Sequence, residues 1–347
     1  MHKTIALGPF ALESGIELPD VVVAYTEFGT FDPAHNNAVL VTHGYTSGPA
    51  MLEPGPLTAE GAWDGFLQPD GALDPRFWHV ICMNMLGSSY GTTGPNTLNP
   101  ATGQTWGPGF PAITLRDIVA VQRLALKKLG VPHLRAVVGP SYGGFQALQW
   151  ALDYPDDVDA IGVIVSGLST PPGLSAESQR RALAALPGWQ GGWHGWTPVM
   201  IESMTALRLN TLRAYGLERF YQDQFASTGE CQAHLQAASR AWAEQFDANS
   251  LVILAGAAEA FDSRPLLDRL RAKTLIMQCS TDALFPPDPQ TPVLLERANI
   301  PEFRYRVLES PYGHLASGIE WRQVDQELHW LLEPRACRLP PEIKAVS

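Results

Sequence analysis

Five residues, Gly139-Pro140-Ser141-Tyr142-Gly143, constrain this chain more than any other feature of its sequence. They follow an apolar run, Ala136-Val137-Val138, and open a helical one, Phe145-Gln146-Ala147-Leu148-Gln149-Trp150. The pattern predicts a buried strand, a sharp turn at G-x-S-x-G, and then a helix. Glycine suits such a turn because the helix packs too close to the strand to leave room for a Cβ. The turn would lift the serine hydroxyl above the carboxyl ends of the strands, within reach of a substrate.

A strand, turn and helix of this kind resemble the nucleophile elbow of the α/β-hydrolase fold, in which an acid and then a histidine follow the serine along the chain. Downstream, Lys273–Cys279 reads as a buried strand, with Ser280-Thr281-Asp282 at its carboxyl end. The strand-like Phe303–Leu308 leads into Ser310-Pro311-Tyr312-Gly313-His314. The expected catalytic set is therefore Ser141, Asp282 and His314. His314 would take the Ser141 proton on attack and return it to the leaving group, while Asp282 would fix the imidazole tautomer. The bland alternative leaves Asp282 in a turn and His314 in a loop, but order, spacing and strand context all favour the triad. The apolar Ala38–Val41 is followed by Thr42-His43-Gly44-Tyr45, a loop that in this fold supplies an oxyanion donor. The backbone amides of Tyr45 and Tyr142 are the expected pair. His43 is read as a brace for that loop rather than a second base.

Strand-like and helix-like segments alternate up to about residue 167, which implies a mostly parallel sheet flanked by helices. Whether the opening segments Val21–Tyr25 and Val39–Val41 run antiparallel is left open by the sequence. From 168 to 262 the character changes to a Pro/Gly/Trp stretch, Pro187–Trp196, followed by helical patterning with no strong strand signal. Residues 1–167 and 263–347 are read as two parts of one α/β core, and 168–262 as an inserted helical cap. The Pro-rich end, Leu339-Pro340-Pro341, is read as a loose terminus.

Composition excludes several function classes. With 24 Lys and Arg against 35 Asp and Glu, the net charge of −11 argues against nucleic acid or an anionic membrane surface as partner. A polyanionic substrate would need a local basic patch. Cys82, Cys231, Cys279 and Cys337 lie far apart, and neither they nor the nine histidines show metal-ligand spacing, so no metal or bound cofactor is expected. No secretion signal or membrane-length apolar run is evident, and a cytoplasmic location is the default expectation.

Longer stretches narrow the chemistry. Asn84–Pro95, Asn99-Pro100-Ala101-Thr102-Gly103, Phe110–Asp117, Trp63-Asp64-Gly65-Phe66, the elbow with Gly144, and Asp282–Pro287 together resemble the homoserine O-acetyltransferase family over nearly the whole chain. That resemblance implies ping-pong transfer of an acetyl group from acetyl-CoA, as co-substrate, through the serine to an alcohol. Similar proteins pass the acyl group to water. It also implies a homodimer formed through the cap, and substrate contacts at Arg208, Tyr215 and the residue after the catalytic histidine. Arg208 and Tyr215 are seven residues apart, so both fall on one helical face. In the family the residue after the histidine is an aspartate that meets the substrate's ammonium; here it is Leu315. Leucine cannot compensate a desolvated ammonium, which argues against homoserine. Hydrolysis of a short acetate ester therefore leads on sequence grounds. An acetyl-CoA-dependent O-acetyltransferase acting on homoserine or another hydroxylated acceptor is the alternative. A non-catalytic binding protein is disfavoured because all three triad residue types are present.

Overall fold

The computed structural model describes residues 3–55 and 62–333. Cys337 and Leu339-Pro340-Pro341 lie outside the described residues. Eight strands form one sheet: β1 Lys3–Ala11, β2 Glu17–Phe28, β3 Ala38–Thr42, β4 His79–Met83, β5 Leu134–Pro140, β6 Val158–Ile164, β7 Lys273–Cys279 and β8 Phe303–Leu308. Their order is β1-β2-β4-β3-β5-β6-β7-β8. From β4 to β8 all neighbours are parallel, with Val39 beside Ala136 and Val138 beside Gly162. The antiparallel pairing lies between β1 and β2 and between β2 and β4, so the two opening segments weighed in the sequence are not direct neighbours. Strand β1 is absent from the sequence reading. Its Gly8-Pro9 breaks the strand pattern, and the register shifts on both sides of Gly8. It is an edge strand with half its residues exposed, so the alternation that marks a strand is weak.

The central strands are buried on both faces, as parallel strands must be when helices cover them. Helices α1 Leu115–Lys128 and α2 Tyr142–Asp153 lie in the core. Helix α1 begins at a capping box, with Thr114 Oγ1 accepting from Asp117 N–H at 3.1 Å and Asp117 Oδ2 accepting from Thr114 N–H at 2.9 Å. That start fixes the phase of α1 and places Gln122 against Gln146 of α2, whose amide reaches the His43 carbonyl at 3.1 Å.

Between β6 and β7 the chain forms α3 Ala176–Ala184, α4 Pro198–Ala214, α5 Leu217–Gln224, α6 Thr228–Ala243 and α7 Ala248–Ala258. It leaves and returns at one point, where Ser169 pairs with Asp262 and Ser263 N–H bonds the Leu168 carbonyl at 2.8 Å. Two apolar clusters separate from the sheet core hold these helices. One gathers Trp189, Met200, Trp242 and Phe246, and the other Leu212, Leu217 and Leu235. Helix α7 bridges the layers: Leu251 and Val252 join the first cluster, while Leu254 and Ala258 join the sheet core. After β7 come α8 Gln290–Arg297, α9 Ala316–Ile319 and α10 Trp321–Leu332. Among the described residues no helix is long and apolar enough to cross a membrane.

Candidate active site

Ser141 stands between β5 and α2 with φ 55° and ψ −122°, a left-handed conformation that costs a non-glycine residue about 1–3 kcal/mol. The surroundings hold it there. Ser141 N–H bonds the Ile164 carbonyl at 2.9 Å, and the Ser141 carbonyl accepts from Gly144 N–H at 2.9 Å and from Ser166 Oγ at 2.6 Å. The flanking glycines answer to close approach. A Cβ on Gly143 would lie 2.1 Å from the Thr42 carbonyl oxygen, and one on Gly139 2.2 Å from Thr42 Oγ1. Thr42 Oγ1 in turn donates to the Gly143 carbonyl at 2.8 Å, locking the loop after β3 to the start of α2.

His314 follows β8 and Asp282 follows β7. His314 Nδ1 and Asp282 Oδ2 are 2.8 Å apart, and both side chains are essentially without solvent exposure. Asp282 Oδ1 accepts from Leu284 N–H at 2.8 Å, which orients the carboxylate. Among the described residues His314 Nε2 has no hydrogen-bond partner, so no bond yet joins it to Ser141 Oγ. The Tyr215 ring lies 4.7 Å from the imidazole and the Phe285 ring 5.8 Å. Both aromatic residues share a cavity with Ser141, which sets His314 directly behind that cavity's wall.

The Tyr45 and Tyr142 rings stack with centroids 5.8 Å apart at 23°. Their phenols donate to successive turns of α7, Tyr45 to the Leu251 carbonyl and Tyr142 to the Leu254 carbonyl. Neither backbone amide donates to an acceptor among the described residues, which leaves both available at the turn. Burial pushes both phenols well up from their ordinary value, so they act as neutral donors. His43 braces the loop: its Nδ1 lies 2.9 Å from the Gly44 carbonyl, and its Nε2 accepts from Met85 N–H at 3.3 Å. Burial lowers its pKa from 6.5 to about 4, so it stays neutral at ordinary pH.

The cavity above Ser141 measures about 370 Å³. Its floor comes from the core (Tyr45, Tyr142, Phe145, Phe285) and its roof from the segment between β6 and β7 (Leu174, Leu207, Tyr215, Leu251). Arg208 is the one charged side chain among the described residues that line it. It is 3% exposed, donates from Nη1 to Thr46 Oγ1 at 2.8 Å, and lies 4.8 Å over the Trp242 ring. Arg208 and Tyr215 therefore share this cavity, as their helical spacing suggests. Leu315 does not line it. Its side chain is fully buried among Leu212, Leu217, Tyr221 and Leu235, while its N–H bonds the Tyr215 carbonyl at 3.2 Å. The expected contact between Leu315 and substrate is thus corrected to packing behind Tyr215, because the α4–α5 corner offers leucine an apolar seat. Thr46 and Trp242, which frame the guanidinium, escaped the sequence reading. Their only signal there was polarity two residues past Gly44 and a Trp in an Ala-rich helix.

The sheet order and the strained serine turn define an enzyme of the α/β-hydrolase fold, and residues 37–199 match the family model described as alpha/beta hydrolase fold. More narrowly, the chain belongs to the homoserine O-acetyltransferase family. It is 34% identical to the homoserine O-acetyltransferase of Moorella thermoacetica over 360 aligned residues, covering 96% of this chain and 95% of that one. Two solved structures share the fold: the homoserine O-acetyltransferase of Bacillus anthracis (TM-score 0.83, 23% identity, 96% of this chain and 98% of that one) and esterase E22 (TM-score 0.83, 24% identity, 96% and 100%).

Proposed function

We propose that this protein transfers an acetyl group from acetyl-CoA, through an acyl-Ser141 intermediate, to the hydroxyl of a small carboxylate-bearing alcohol. The observation that carries the reading is Arg208, buried in the otherwise uncharged wall of the Ser141 cavity. A desolvated guanidinium facing a substrate space is suited to a carboxylate, and a simple neutral ester makes no use of it. The curated relatives carry the name of an acetyltransferase, which weighs toward transfer over the hydrolysis that leads on sequence alone.

In this reading Ser141 Oγ attacks the thioester carbonyl as its proton passes to His314 Nε2. The oxyanion is held by the Tyr45 and Tyr142 amides, each worth about 10²–10³ in turnover. The tetrahedral intermediate expels the CoA sulfur, which leaves as the thiol with the proton from His314. The acceptor hydroxyl then gives its proton to His314 and attacks the acyl-enzyme, and collapse returns the proton to Ser141. Asp282 keeps the imidazole proton on Nδ1 throughout. Exposed Arg180 follows the cavity-lining Gln179 in α3 and offers local positive charge to the CoA phosphates, while its neighbour Arg181 is paired with Glu177 at 2.6 Å.

One observation favours hydrolysis as a second reading. Among the described residues no carboxylate lines the Ser141 cavity, so an acceptor ammonium finds no counter-charge there. The acceptor that suits Arg208 in a cavity lined by no carboxylate is a hydroxy acid without an amine. The test is CoA thiol release from acetyl-CoA with 4-hydroxybutanoate, with L-homoserine and with neither. Release stimulated by the hydroxy acid supports the proposal, and acetate release at the same rate with and without acceptor would make the protein a hydrolase.

A further inference from the structure

The Trp-rich stretch Pro187–Trp196 takes no part in the Ser141 cavity, yet it is built with unusual local constraint. Five of the seven residues Gln190–Trp196 have positive φ, among them the non-glycines Gln190 at 49° and Trp196 at 55°. The loop is pinned on two sides. Asn249 Nδ2 donates to the Gly192 carbonyl at 2.9 Å, and Trp193 lies so close to Gly107 that a Cβ there would meet its ring at 2.8 Å. This loop, the core segment around Asn96 and Thr105, and the start of α7 enclose a second cavity of about 170 Å³.

The chemistry of that cavity is one-sided. His194 is 4% exposed, and its Nε2 lies 3.3 Å from Asp247 Oδ1. In the neutral ring a carboxylate there takes the proton on Nε2 and leaves Nδ1 as an acceptor. That Nδ1 is buried and has no partner among the described residues. The same is true of Asn96 Oδ1, whose amide nitrogen is already spent on the Ser89 carbonyl at 2.9 Å. Both residues line the cavity, and each buried acceptor costs about 1–3 kcal/mol if left without a donor. Asp247, whose Oδ1 also accepts from Asn249 N–H at 2.7 Å and Asn249 Nδ2 at 3.0 Å, is the only charged side chain among the described residues lining it, and Trp193 and Trp196, which are 58% and 36% exposed, supply aromatic walls.

We infer that this cavity is a binding site, separate from the Ser141 cavity, for a small primary ammonium ligand. Its N–H donors satisfy His194 Nδ1 and Asn96 Oδ1, its charge is drawn by Asp247, and its alkyl part lies against the indoles, where a cation also gains from the ring faces. The inference is independent of the acyl chemistry at Ser141.

Calorimetric titration of the full chain with butylammonium, 1-butanol and butyrate tests it. The expected result is saturable binding of butylammonium, at least about tenfold weaker binding of the neutral alcohol, and none of butyrate. Asn96→Leu should weaken the ammonium about tenfold, as should Trp193→Ala. The second change removes an exposed wall and so leaves the buried core intact should Asn96→Leu misfold. Absence of saturable ammonium binding would overturn the inference and leave the cavity to water. So would equal binding of 1-butanol, or affinity unchanged in both variants.

Discussion

His43 gives this fold a measurable acid sensitivity. The side chain is fully buried, and burial depresses its pKa from 6.5 to about 4. Protonation would also abolish the acceptor that holds Met85 N–H. As pH falls, the unfolded chain takes up this proton first, at its ordinary pKa, while the folded protein resists until near 4. Between those values the unfolded state binds more protons and folding stability declines. The stabilisation is fully present above about pH 6.5, and its loss is complete only below about pH 4. At about 1.4 kcal/mol per pKa unit, the full loss is about 3 kcal/mol, of which about 2 kcal/mol has gone by pH 5. Urea unfolding of the wild type and of His43→Gln, each at pH 7, 6 and 5, isolates the term because other titrating groups cancel in the difference. Glutamine can donate and accept but does not titrate here. The variant should be the less stable protein at pH 7 and should lose about 2 kcal/mol less between pH 7 and 5. Parallel decline of the two proteins would refute the assignment of the acid term to His43.

Four further outcomes are expected. Ser141→Ala should abolish turnover and fluorophosphonate labelling with an unchanged melting temperature; turnover near the wild-type level would remove Ser141 from the mechanism. Gly143→Ala forces a Cβ to 2.1 Å from the Thr42 carbonyl, so thermal unfolding should show a loss of a few kcal/mol and activity should collapse with it; wild-type stability would show the elbow is looser than described. Arg208→Met should raise KM for the carboxylate acceptor by about a hundredfold, as expected for a lost charge-assisted pair, and leave hydrolysis of a neutral acetate ester little changed; equal losses on both substrates would mean that Arg208 serves only to hold the cavity. Leu315→Asp buries a carboxylate among leucines, so urea unfolding should show a loss of several kcal/mol. Because that side chain packs behind Tyr215 and not in the cavity, the kcat/KM ratio of L-homoserine to 4-hydroxybutanoate should stay unchanged, and a raised ratio would place position 315 at the acceptor.

Much of the site was legible because it is written locally. A strand, a glycine-bracketed serine and a helix are contiguous, and the acid and histidine each follow a buried strand. Lys273–Cys279 and Phe303–Leu308 are strands with the bounds read from sequence. What escaped depends on contacts between distant segments. Thr46 and Trp242 are nearly two hundred residues apart, joined by a 3.0 Å bond from the indole to the Thr46 carbonyl, and only their meeting frames Arg208. Leu315 misled for the same reason. Sequence places it next to His314, but a helix corner more than ninety residues earlier decides which way its side chain faces. Strand β1 lacked a signal because an exposed edge with a Gly-Pro break need not alternate.

The proposed function rests on an acyl-Ser141 intermediate that a hydroxy acid would relieve faster than water does. The most direct test is to acetylate the enzyme with labelled acetyl-CoA, remove excess donor, and follow the label by intact-mass spectrometry with and without 4-hydroxybutanoate. One acetyl group is expected on wild type, none on Ser141→Ala, and rapid loss of the label as an acetate ester only when the hydroxy acid is added. Failure to acylate, or release as free acetate at a rate the acceptor does not change, would contradict it.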